Sequence, residues 1–163
     1  MTATSALKKL TLFGLLGAVL LTISFAAPAR AQVTAFMQAV AEAAASDREI
    51  AEFYRTTGYK AIWTGKDRKS KQRREAFLRA VGDADEHGLP AGRYDPKTLK
   101  INIRRVSSER DLGRLEVEMS KLFLRYARDV QTGLVNPRRV DEGIKREVPL
   151  RGRTALLTSF SKS

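Results

Sequence analysis

The chain has 163 residues, with 30 Lys and Arg against 18 Asp and Glu, a formal charge of +12, one His and no Cys. The absence of Cys excludes a disulfide framework, a thiolate metal site and a cysteine nucleophile, and a single His excludes a multi-histidine metal cluster. Hydrophobic content of 43% beside 29% charged residues fits one folded domain of ordinary size, and the positive balance points to polyanions or acidic surfaces as partners.

The N-terminus reads as an address. Lys8 and Lys9 precede an uncharged apolar run from Leu10 to Ala27, Pro28 breaks it, and Ala29-Arg30-Ala31 places small residues for cleavage after Ala31. This is the pattern of a secretory signal peptide over residues 1–31. The alternative is an uncleaved inner-membrane anchor, for which the run is near the lower end of the roughly 17–25 residues a spanning helix needs. Either way the remainder, residues 32–163, is exported, and the expected location is periplasmic. Cleavage removes Lys8, Lys9 and Arg30 and no acid, so the exported part stays strongly basic.

The exported part reads as helices. Val33 to Ala45 carries Val33, Phe36, Met37 and Val40 at helical spacing. Ser46-Asp47-Arg48-Glu49 has the form of a capping box with Ser46 as the cap. The helix after it places Ile50, Phe53, Tyr54 and Thr57 on one stripe and stops at Gly58. Tyr59, Ile62 and Trp63 form an apolar turn or short extended piece closed by Thr64-Gly65. Residues 66–74 hold Lys66, Arg68, Lys69, Lys71, Arg73 and Arg74 against Asp67 alone, and read as a solvated, mobile lead-in to a helix with core face Phe77, Ala80, Val81 and Ala84 that stops at Gly88.

Leu89-Pro90 and Tyr94-Asp95-Pro96 read as turns, with Asp95 capping a short helix that has Pro96 at its first position. A long helix starts at Ser108. Leu112, Leu115, Met119, Leu122 and Tyr126 form its seam, Val117, Phe123 and Val130 widen it, and Gly133 ends it after about 24 residues, or ~36 Å. Asn136-Pro137 restarts the chain, and Thr154 to Phe160 opens a last helix. No strand run stands out. The fold class is all-α: an irregular bundle of about five to six helices.

Candidate chemistry is sparse. His87, in Asp83-Ala84-Asp85-Glu86-His87-Gly88, is a metal or acid–base candidate, but adjacent carboxylates make a poor first shell, and a His at a helix C-terminus favours the dipole simply by being there. Glu52, Glu86, Glu116 and Glu118 are candidates for a paired-carboxylate murein hydrolase. Glu116 and Glu118 point to different faces of one helix, and surface charge is the competing reading for all four. Asp129, on the edge of the seam, either holds an Arg or caps a neighbouring helix. Trp63 beside Tyr59 can stack on a sugar or serve as core. The basic run lacks interleaved aromatics, and export argues against nucleic acid. No catalytic, metal or cofactor-binding residue is assigned, no cofactor is expected, and the substrate-binding residues are left unassigned.

Three phrases carry a resemblance: Phe53-Tyr54 with Tyr59-Lys60-Ala61-Ile62-Trp63; Ala84-Asp85-Glu86-His87-Gly88-Leu89-Pro90 running to Tyr94; and Tyr126-Ala127-Arg128-Asp129-Val130 followed by Gly133 and Asn136-Pro137. In this order and spacing, over about residues 33–157, the chain resembles the N-terminal scaffold domain of the large periplasmic murein L,D-transpeptidases. The resemblance implies a helical scaffold that, in full-length members, is followed by a peptidoglycan-binding domain and a catalytic domain. There a Cys in a Ser-x-Gly-Cys type motif, with a His, forms a thioester with the stem peptide and passes the acyl group on. This chain has no Cys to carry that role. It is expected to be a truncated or split relative, or a free-standing scaffold, incapable of transpeptidation alone.

The expected function is therefore non-catalytic: to brace a transpeptidase's other domains or to position peptidoglycan. The expected partners are peptidoglycan or those domains, with no nucleic acid and with membrane contact only through an uncleaved signal. The alternatives are a basic periplasmic adaptor for anionic envelope polymers and a carboxylate-based murein hydrolase.

Overall fold

A computed structural model describes residues 33–134 and 149–163. The signal segment 1–31 and the restart at Asn136-Pro137 lie outside the described residues. Six helices are present among them: α1 (Ala35–Ala44), α2 (Arg48–Thr56), α3 (Arg68–Gly82), α4 (Pro96–Arg105), α5 (Glu109–Thr132) and α6 (Arg153–Lys162). Short 3-10 turns at Ala84–His87 and Ala91–Arg93 link α3 to α4. The described residues contain no strand, and the all-α reading stands.

Helix starts follow side chains that accept from the otherwise orphaned first-turn amides. Thr34, Asp47, Asp67, Asp95 and Ser108 each accept from the amide three residues on. Asp47 corrects the capping box: its Oδ1 takes the Ile50 amide at 3.2 Å, so Asp47 and not Ser46 is the cap of α2. Both residue types are good caps, and the phase that buries Ile50, Phe53 and Tyr54 selects the second. Thr57 falls just outside the helix and is exposed. The third helix ends as an α-helix at Gly82, earlier than expected; the 3-10 turn then carries the chain to Gly88 at φ +70°, a left-handed value that glycine adopts without cost.

The spine is α5, 24 residues from its Ser108 cap to Gly133. Its buried face is Leu115, Glu116, Val117, Met119, Ser120, Leu124 and Asp129, so the expected seam is shifted. Leu112 and Leu122 are half-buried and Val130 is exposed, because the packed face takes in Glu116 and Ser120. Helix α1 lies along α5 at Gly113. A Cβ there would stand 2.7 Å from the Phe36 carbonyl oxygen and 2.8 Å from the Ala39 Cβ, which is why a glycine sits inside a helix.

The core gathers around Trp63, which is fully buried. Its ring lies 5.3 Å from Phe77, 5.6 Å from Phe123 and 4.6 Å from Phe160, so one indole joins α3, α5 and α6. No helix among the described residues is long and apolar enough to cross a membrane.

Candidate functional site

Residues 62–65 belong to no regular element, so their backbone groups need partners from elsewhere. Glu116 supplies them. Its Oε1 accepts from the Ile62 amide at 2.7 Å and the Trp63 amide at 3.1 Å, and its Oε2 accepts from the Thr64 amide and hydroxyl, each at 2.7 Å. Tyr54 donates to Oε1 at 3.0 Å. The Trp63 indole donates to Ser120 Oγ at 2.8 Å, and Ser120 and Tyr54 share a hydrogen bond of 2.7 Å. From the other side, Arg74 donates to the carbonyls of Trp63 and Gly65. Burial and the Glu116 carboxylate hold the Tyr54 phenol well above its ordinary value, so it stays a donor.

This arrangement corrects the surface-charge reading of Glu116, which is fully buried with both oxygens occupied. A carboxylate sealed in this way has no path to a glycosidic bond, so it is not half of a hydrolytic pair. Glu52 pairs with Arg55 at 2.5 Å on the surface of α2, and Glu86 and Glu118 are exposed. Trp63, as a fully buried side chain, is core and offers no face to a sugar.

The basic run is also corrected. It is no solvated lead-in throughout: Asp67 caps α3, Arg73 is 8% exposed, and its guanidinium donates to the carbonyls of Phe160 (3.1 Å), Ser161 (2.6 Å) and Ser163 (3.0 Å). The cation meets the negative end of the α6 dipole.

Asp129 holds an Arg, one of the two roles read for it. Its Oδ2 accepts from Arg93 Nε and from the Tyr94 hydroxyl, both at 2.8 Å. Burial, then the hydrogen bond to Asp129, pushes Tyr94 up to about 12. Tyr94 also meets Tyr126 edge to face at 5.3 Å. His87 ends its 3-10 turn in solvent. Among the described residues no three His, Cys, Asp or Glu side chains converge as metal ligands.

One feature open to a ligand escaped sequence reasoning. A groove of about 630 Å³ lies where α5 passes the start of α2 and the start of α6. Among the described residues five cations line it, Lys121, Arg125, Arg128, Arg151 and Arg153, against two carboxylates, Asp47 and Glu49. Arg153 engages both of those, Glu49 at 2.9 Å and Asp47 at both oxygens. Lys121 donates to the Ala43 carbonyl at 2.9 Å. Arg125, Arg128 and Arg151 are exposed and have no acidic partner among the described residues. Leu124, Leu150 and Leu156 supply apolar surface between the charges. The only trace of the groove in the sequence is the spacing of Lys121, Arg125 and Arg128, which puts them on one face of α5.

A family description, Scaffold domain, matches residues 48–163, most of the chain. The chain belongs to the Scaffold domain family. No curated protein and no solved structure matches it. The matched span takes in α2 to α6, and with them the Glu116 hub, the Asp129 cluster and the groove apart from Asp47; α1 precedes it.

Proposed function

We propose that this Scaffold domain is of the murein L,D-transpeptidase type: an exported, periplasmic, non-catalytic support that braces a transpeptidase's other domains or positions peptidoglycan. One observation carries the reading. Five residues of the three phrases, Tyr54, Trp63, Tyr94, Tyr126 and Asp129, lock the fold together. Trp63 and Tyr54 of the first phrase close on α5 through Ser120 and Glu116. Tyr94 of the second phrase bonds Asp129 of the third and packs on its Tyr126. Residues spaced for the same mutual contacts are what a shared scaffold requires.

The role follows from chemistry. Transpeptidation by thioester needs a thiolate, and this chain has no Cys, so its contribution is binding and bracing. The second reading, a basic adaptor for anionic envelope polymers, draws on the +12 charge and on the groove cations Arg125, Arg128 and Arg151, which have no acidic partner among the described residues. Retention of the purified chain on sacculi, compared with lipopolysaccharide at rising salt, separates the two. The murein reading expects retention on sacculi to persist above ~0.5 M salt, where exposed charge pairs are heavily screened. Release from both at the same low salt favours the adaptor. Cross-linking of stem peptides by the chain alone overturns both.

A further inference from the structure

We infer that the groove between α5 and the starts of α2 and α6 is a binding site for a short, extended acidic peptide. The inference deepens the murein reading and rests on it for its biological setting, since the stem of murein is a carboxylate-bearing peptide. The observations themselves are local.

The groove's size, about 630 Å³, suits an occupant of a few residues. Among the described residues its cations exceed its carboxylates by three, and the two carboxylates are already held by Arg153. The surplus is guanidinium. Arg125, Arg128 and Arg151 present planar forks that match a carboxylate two bonds at a time. Lys121, Arg125 and Arg128 climb one face of α5 over roughly 10 Å, the reach of three extended residues. Leu124 and Leu156, between them, offer contact to methyl and methylene groups.

The lining also discriminates by what it lacks. Among the described residues it contains no aromatic side chain, and the sole Trp is sealed in the core. Sugars and nucleobases are gripped by flat aromatic faces, so a glycan strand or a single-stranded nucleic acid finds no platform here. Alternating charge and aliphatic surface is instead the complement of a peptide that alternates acidic and small apolar residues.

The test is calorimetric titration of the full-length chain at low salt with Ac-Ala-Glu-Ala-Ala-Glu-NH2, its Gln analogue, an N-acetylglucosamine tetramer and inorganic phosphate. The acidic peptide is expected to bind, and R125E/R128E to weaken it by about tenfold or more. R151E, on the segment that leads into α6, should weaken it independently. K97E/K100E makes the same change in net charge on α4 and should leave the affinity within about twofold. Helical circular dichroism confirms that each variant is folded; all five positions are exposed.

Equal weakening by K97E/K100E, equal binding of the Gln analogue, or displacement of the peptide by equimolar phosphate overturns the site. Binding of the sugar tetramer in place of the peptide overturns it as well. The two readings fail separately. Peptide binding without retention on sacculi sinks the murein setting alone, and retention without peptide binding sinks the groove alone.

Discussion

Thr64 and Glu116 stand 52 residues apart in the chain and are joined twice: Glu116 Oε2 accepts from the Thr64 amide and from its hydroxyl, each at 2.7 Å. Together with the Ile62 and Trp63 amides on the same carboxylate, this fastens an irregular segment to the middle of α5. A glutamate here does for a loop what a neighbouring strand does in a sheet.

Every group around Glu116 that contacts its oxygens is a donor. Glu116→Gln turns one acceptor into a donor facing buried N–H groups and should cost about 3 kcal/mol. The expected result is a lower urea midpoint with an unchanged slope. Glu118→Gln, on the exposed face of the same helix, should stay within about 0.5 kcal/mol. Equal behaviour of the two variants would mean that Glu116 is not sealed.

Gly113→Ala sets two effects against each other. Alanine is favoured over glycine inside a helix by about 1 kcal/mol. The added Cβ would meet the Phe36 carbonyl at 2.7 Å and force α1 off α5, at about 1–3 kcal/mol. The expected net effect is destabilisation by about 1 kcal/mol in chemical denaturation. A stabilised variant would show that α1 does not lie on α5.

Asp67 gives a pH signature. The Ser70 hydroxyl, at 2.6 Å, and then the Ser70 amide, at 3.0 Å, lower its carboxyl from 3.8 to about 2. A folded value below the unfolded one means that the cap's contribution is present above about pH 4 and lost as the pH falls towards 2. The stability gap between wild type and Asp67→Asn should therefore narrow across that window. A gap that is constant from pH 6 to pH 2 would contradict the cap.

Trp63 is the sole tryptophan and is fully buried among Phe77, Phe123 and Phe160. Its fluorescence should be blue-shifted, shielded from iodide, and lost to the red in step with the helical signal on unfolding. Trp63→Ala should cost about 3–5 kcal/mol. Iodide quenching of the native protein at the rate of free tryptophan would restore the sugar-stacking reading.

Much of the helical outline was legible because its causes are local. Ser108 and Gly133 bracket α5, and Asp95-Pro96 opens α4, through groups that act within one turn of the helix. Ser46 and Asp47 mark the boundary of that legibility. Either side chain can cap, and the choice depends on which phase buries Ile50, Phe53 and Tyr54.

Residue order alone was enough for the helical class, for the caps Asp95 and Ser108 and for the lack of Cys in this chain, since propensity, periodicity and composition are properties of neighbouring residues. Folding in three dimensions was needed to turn Glu116 from apparent surface charge into a buried anchor, to set Arg73 on the carbonyls of α6, and to gather cations from α5 and the start of α6 around one groove. Whether a charge is solvated, satisfied or left unneutralised depends on groups far along the chain, and only packing brings those within reach.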